Sequence, residues 1–450
     1  MRFLLLAGTI LGAAVAGATA RLLPTDPAVA SDATLAVAAE ERGPGPDREQ
    51  IARYLAALGH SDALVCNLSV DFIGSFWGWS RSRHGIGSLA DEPRGWRALH
   101  DTLARPARDS AAIAALGDAL GVDDPCVRRA AARLLGHAGG VGRAQIERAL
   151  ESPEPRRREA ALFAAAVLED PVLFERLVEA TRDREPAVVA MAAFAIGELE
   201  DSRGVTPLSR LLDRSDVRIR ETAIWALGAI EDPRAVSSLL PHLRQREAST
   251  RVLTAEALGQ IESGDAIDAL HAAIDDADPA VRLAVIEALG QIEDRRSVGP
   301  VTRALRDADP EIRRAAAEAL GQIEDPSAAD ALARALDDED PDVRRAAVEA
   351  FGQLDDLHQA PAALIAALDA PDVRLRRAAA EALGNIEDPA SVPALGRRIN
   401  DPDVETRRAV VQALAEIEAE GVTRYLLLAL KDSDPEIRRE AAEGLGNRRH

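Results

Sequence analysis

Aromatic side chains are nearly absent from this chain: 13 Phe, Trp and Tyr residues among 450, or 3 %. A core built without them must be filled by alanine and leucine, which dominate a 47 % apolar composition. Lysine occurs once, at Lys431, a matter of codon usage with no functional reading. Positive charge is scarce as well, since 54 basic against 75 acidic residues leave a net charge of −21. Such a balance argues against a nucleic-acid binder, which needs basic surface to replace phosphate counterions, and against adsorption to anionic lipid. The motifs of common chemistries are missing too. There is no H-E-x-x-H, no G-x-S-x-G and no P-loop. Gly136 to Gly142 is glycine-rich but lacks the strand of a dinucleotide turn, and none of the eight histidines pairs with another at ligand spacing. The run Asp337-Asp338-Glu339-Asp340 lacks the glycine and spacing of an EF-hand and reads as turn and helix caps. Neither an enzyme nor a cofactor or metal site is expected.

The one long apolar run lies at the N-terminus. Arg2 precedes an apolar stretch from Phe3 to Ala16, and Ala18-Thr19-Ala20 is a small-residue cleavage site. Residues 1–20 therefore read as a signal peptide, and the protein as exported to the periplasm or cell envelope of a bacterium. Left uncut, Phe3 to Ala20 would just span a bilayer as an anchor; otherwise no membrane contact is expected. Residues 21–47, rich in Ala, Pro, Asp and Gly with no sustained apolar period, read as a disordered linker.

Length alone allows roughly three domains of about 150 residues, but internal repetition sets the organisation. Asp309-Pro310-Glu311-Ile312-Arg313-Arg314, followed by Ala319-Leu320-Gly321-Gln322-Ile323-Glu324-Asp325, recurs along the chain. The glycine position falls at Gly136, Ala166, Gly197, Gly228, Gly259, Gly290, Gly321, Gly352, Gly384, Ala415 and Gly446, which defines eleven units. Each unit reads as two helices. In the second, Asp309 caps the amides and Pro310 takes the first helical position. Ile312, Ala315, Ala316, Ala319, Leu320 and Ile323 then form one stripe of helical period. In the first helix Ala328, Ala331, Leu332, Ala335 and Leu336 do the same. Neither helix hides its apolar face alone, so neighbouring units must stack. The fold class is all-α: an α-solenoid of about eleven two-helix repeats over residues 107–450, with a small helical cap over residues 48–106.

These units resemble HEAT repeats, specifically the short HEAT-like units of the bilin lyase type, over about three quarters of the chain. The resemblance specifies fold far better than function, and nothing beyond the repeat points to bilin transfer. It implies a structural ladder in which an Asp and an Arg six residues on link adjacent units. The ladder residues include Asp276, Arg282, Asp307, Arg313, Asp338 and Arg344. The Arg position is broken only at Val189. One enzyme family with this repeat, the deoxyhypusine hydroxylases, holds iron with His-Glu dipeptides; this chain has none.

Departures from the repeat are the informative residues. Three before the glycine, later units carry Glu256, Glu287, Glu318, Glu349, Glu381, Gln412 and Glu443, whereas three consecutive earlier units carry Phe163, Phe194 and Trp225. On a helical wheel this position lies about 130° from the centre of the apolar stripe, and the family resemblance places it on the inner surface. The intervening run from Val188 to Ile196 is apolar all round. Phe163, Val189, Phe194 and Trp225 are the candidate partner-binding residues, with a protein or peptide as the expected partner. Coverage by the chain's own N-terminal module or a linker segment, and simple drift, remain the alternatives. Beyond the strip, Arg314 with Glu318, Arg345 with Glu349 and Arg377 with Glu381 read as i,i+4 pairs on a solvated face.

Residues 48–106 hold six aromatics and leave the repeat. Helices are expected at about Arg48–Leu58, Ser61–Ile73 and Pro93–Leu103. The loop carrying Trp77, Trp79, Arg81, Arg83 and His84 is an alternative ligand site. Cys66 lies in this module and Cys126, at an exposed wheel position, in the first repeat. An oxidising compartment permits a bond between them, worth about 4 kcal/mol for a loop of ~60 residues; free thiols or an intermolecular bond are the other readings. The best functional reading is a non-catalytic, exported interaction scaffold. A lyase-related or other small-ligand-handling factor, and a membrane-anchored scaffold, are the alternatives.

Overall fold

Asp-Pro pairs punctuate the chain, and in a computed structural model they open helix after helix. The structure describes residues 45–59, 105–354 and 357–447. The eleven second helices run from Pro125–His137 and Pro155–Leu168 through to Val404–Glu416 and Pro435–Asn447. No strand occurs among the described residues, and none of their helices is long and apolar enough to cross a membrane. Asp309 accepts from Glu311 N at 2.9 Å and Pro310 occupies the first turn, as the sequence predicts. The first helix of most units opens with a 3₁₀ turn. Pro326–Ala328 precedes Ala329–Ala335, and Asp325 accepts from Ser327 N at 2.9 Å.

Successive second helices pack side by side along the whole array, and the first helices cover their other flank. The stripe from Ile312 to Ile323 is buried throughout, but so is Ala317, off the stripe. A second helix has neighbours on both sides as well as its own first helix, which widens the buried arc. The glycine position explains itself in this packing. A Cβ on Gly290 would lie 3.0 Å from Ala319 Cβ and 2.2 Å from Gln322 Oε1 of the next unit, so glycine lets the two helices approach closely without displacing the Gln322 side chain. Seven second helices end on a glutamate in the left-handed region, Glu324 among them with φ 57°. Its N–H donates to Gly321 O at 3.0 Å and turns the chain toward the next Asp cap.

The ladder is real, and it runs from unit to unit. Arg282 Nε and Nη2 donate to Asp307 at 2.8 and 3.1 Å, one unit on, while Nη1 donates to Asp276 O at 2.9 Å within its own unit. Arg251–Asp276, Arg313–Asp338, Arg376–Asp401, Arg407–Asp432 and Arg158–Asp183 repeat the geometry. Arg344 departs from the expectation. Its Nη1 donates to Asp338 O and Glu339 O at 2.6 and 3.0 Å, but the following unit has Ala370 at the Asp position. Arg344 therefore makes no ion pair among the described residues.

These rungs give stability a definite pH dependence. For Asp276, Asp307 and Asp338, burial pushes the carboxyl up. The Arg hydrogen bond, a backbone amide and the guanidinium charge outweigh it and hold the group below its ordinary value. Their contribution is complete above the unfolded value of about 3.9 and is lost as pH falls below it. Glu198 and Glu293 have the opposite sign: burial, then neighbouring glutamates, hold them above the ordinary range, so stability declines as pH rises through their folded values. The melting temperature should therefore fall steeply below about pH 4, where the ladder carboxylates are protonated. A thermal melt series checks this, and a melting temperature held down to pH 2 would remove the ladder from the stability account.

Helix Arg48–Leu58 is closed by reciprocal bonds between Asp47 and Gln50, 2.9 Å in each direction. It sets Ile51, Tyr54 and Leu58 into the same core as the first unit, against Ser110–Ala119 and Pro125–His137. The helices expected near 61–73 and 93–103, the loop from Trp77 to His84, the signal segment, most of the linker and Cys66 lie outside the described residues. Cys126 is disulfide-bonded and buried, not exposed as its wheel position suggests. In the first unit the Arg48–Leu58 helix packs against the Cys126 helix, a neighbour that the later units do not have.

Candidate functional site

Helices Pro186–Glu198 and Val217–Ala229 run side by side in units three and four, and each sends one ring to the surface they share. Phe194 and Trp225 stack there, centroids 5.0 Å apart and planes inclined by 20°. Offset stacking of this kind is worth about 0.5–1.5 kcal/mol beyond buried area. Both rings are half-buried: their inner edges pack on the core while one side faces solvent. Gly197 makes the stack fit, since a Cβ there would come within 2.9 Å of Trp225 Cζ3.

The rings floor an open groove of about 390 Å³. Met191 and Leu253, each six residues before its unit's glycine, form apolar walls; Glu159, Glu221 and Arg218 stand at the rim. Glu221 is fixed from the next unit, where Ser249 and Thr250 hydroxyls donate to its Oε1 at 2.7 and 3.0 Å. Half-buried Val252 and Leu283 carry the apolar surface on toward unit six. Beyond it the same face becomes polar and self-paired. Arg314 meets Glu318 at 2.5 Å, and Arg345 meets Asp342 at 2.8 Å with Glu349 at 3.7 Å. Arg377 pairs with Asp403 of the next unit at 3.4 Å instead of with Glu381.

The structure brings two of the four predicted partner-binding residues together. Phe163 is half-buried at the equivalent position of unit two but makes no ring contact with Phe194 and does not line the groove. Val189 is a correction: it is fully buried in the core. The Arg position of each unit faces the seam with the next, so an apolar residue there packs inward and cannot reach a partner. Met191 and Leu253 are not marked by the glutamate column that singles out the rings: the groove lies between helices and draws on two repeat positions. Among the described residues no cluster of His, Cys, Asp and Glu could hold a metal ion.

The chain belongs to the HEAT-repeat family, whose model matches residues 174–251, 238–307, 299–373 and 361–446, more than half of it. Among solved structures it is similar to an engineered protein at 21 % identity, covering 74 % of this chain and 98 % of that one, with a TM-score of 0.43. It is similar to the CpcE–CpcF complex of phycocyanin lyase from Nostoc sp. PCC7120 at 19 % identity, covering 61 % and 94 %, with a TM-score of 0.32. It is also similar to a chain of the Kap95p–RanGDP structure at 16 % identity, covering 92 % of this chain and 60 % of that one, with a TM-score of 0.49. No curated protein matches the chain significantly.

Proposed function

We propose that this protein is a non-catalytic interaction scaffold that binds a protein or peptide segment across units three to five, with Phe194 and Trp225 as its apolar anchor. One observation carries the reading: two stacked rings stand on an open groove, in a chain with 13 aromatics, at a repeat position that later units fill with glutamate. Aromatic residues at the centre of a surface supply much of the binding energy in protein interfaces. Met191 and Leu253 add apolar wall without hydrogen-bonding demands. The self-paired Arg and Glu surface beyond unit six leaves little charge free to anchor anything. The N-terminal pattern at residues 1–20 supports an exported scaffold of the bacterial envelope. A photo-reactive phenylalanine analogue at Met191 or Leu253 tests the site in cells. Crosslinks to one protein from both positions, absent when the analogue replaces Glu349, are the expected result. Equal crosslinking from Glu349 would sink the assignment.

A further inference from the structure

Six junctions between successive units are closed by an arginine fork on the next unit's aspartate. The junction between units four and five has the fork without the aspartate. Arg220 sits at the Arg position, and its Nη1 donates to Arg214 O and Ser215 O at 3.0 Å each, as its counterparts do. Gln245 stands where the carboxylate belongs. Arg220 Nε is buried with no hydrogen-bond partner among the described residues, and the nearest carboxylate, Glu247, lies 3.9 Å from Nη2. The fork opens on a cavity of about 630 Å³ that Arg214, Arg246 and His242 also line, with Asp213 and Glu247 as the opposing charges. His242 is only 7 % exposed, and its Nδ1 too is buried without a partner. The nearby hydroxyls of Ser209 and Ser238 are occupied: they bond each other at 3.1 Å, and Ser238 donates to Ala235 O. Two buried polar atoms without partners, on a largely buried arginine and a buried histidine, therefore belong to residues that line one basic cavity.

We propose that this junction is a binding site for a carboxylate, seated on Arg220 Nε and Nη2 as the aspartate is in the closed rungs, with His242 Nδ1 as a second donor. Planar, bidentate recognition is what a guanidinium does best, and six neighbours display that geometry with the chain's own carboxylates. The carboxylate belongs either to a small organic acid or to an acidic side chain of a peptide. Burial and the charge of Arg220 hold the His242 imidazolium below its ordinary value; the neutral ring donates to the carboxylate in the tautomer that carries its proton on Nδ1.

The decisive variant supplies the missing group from the chain. Gln245→Asp should close the rung, raise the melting temperature and weaken carboxylate binding about tenfold or more. Gln245→Ala should leave binding in place, and Arg220→Gln should abolish it. Full-length protein is titrated with malonate, a blocked aspartyl tripeptide and inorganic phosphate, following heat and the His242 ring resonance. Malonate binding assigns the site to free organic acids; binding of the tripeptide alone assigns it to acidic side chains. Equal carboxylate affinity in Gln245→Asp and wild type, no carboxylate binding to wild type, or a preference for phosphate would each overturn the proposal. Should Arg220→Gln fail to fold, the comparison with Gln245→Asp still decides.

Discussion

Asp401→Ala is expected to cost about 3–5 kcal/mol, the largest loss of stability from any single rung. The Asp401 side chain is fully buried, and Arg376, 8 % exposed, donates to it from Nε and Nη2 at 3.0 Å each. Arg398 Nη1 stands at 3.6 Å, and Asp403 N donates to Oδ1 at 3.0 Å. Truncation would strand a buried guanidinium between two units and free an amide of the following turn. The same truncation at Asp342, whose surface pair with Arg345 is 57 % and 31 % exposed, should cost less than about 1 kcal/mol. Because stability in a repeat array is local, the loss should appear first in units nine and ten. Hydrogen exchange on both variants measures it. Equal protection of units nine and ten in the two would mean that the rungs add specificity of stacking and little stability.

Much of the fold was legible because every unit solves the same packing problem. The spacing of Gly197, Gly228, Gly259 and Gly290 marks where neighbouring second helices touch, and the Asp-Pro pairs mark where they start. What the sequence concealed is pairing between units. Arg282 and Asp276 are neighbours in sequence, yet the guanidinium fork takes Asp307, 25 residues on. Without that rule, Val189 looked like a surface anomaly. With it, Val189 and its missing partner are seen to go together, since the unit after it has Arg214 at the aspartate position; one junction further on, Gln245 leaves Arg220 without its aspartate. Three such departures surround the stacked rings, although no single one announces it. The burial of Cys126 was concealed for a related reason, since a wheel describes a lone helix and the Arg48–Leu58 helix adds a neighbour.

The candidate site was half legible. Phe194 and Trp225 stood out against a glutamate column, and their stacking follows from one-unit spacing on adjacent helices. Phe163 had equal standing in the sequence, but its ring does not join the stack. The groove instead extends the other way, to Leu253, through a repeat position that holds small or apolar residues in several units and so carries no contrast.

Phe194→Glu with Trp225→Glu gives the second large effect. Both changes install the residue that units five to nine already use at this position, so the helices should still form. The stack and its packing on the core are lost, which should lower the melting temperature only modestly. Binding is another matter, because two aromatic anchors at about 2 kcal/mol or more each correspond to roughly 700-fold if additive, and to about 100-fold or more when their non-additivity is allowed for. The most direct test is an isothermal titration of the crosslinked partner segment against wild type and this double variant, with both shown folded by circular dichroism. A fall of about 100-fold or more in the double variant, with affinity unchanged in a control substitution at Glu349, is the result this account predicts. Undiminished binding by a folded double variant would contradict it and move the partner site off the stacked rings.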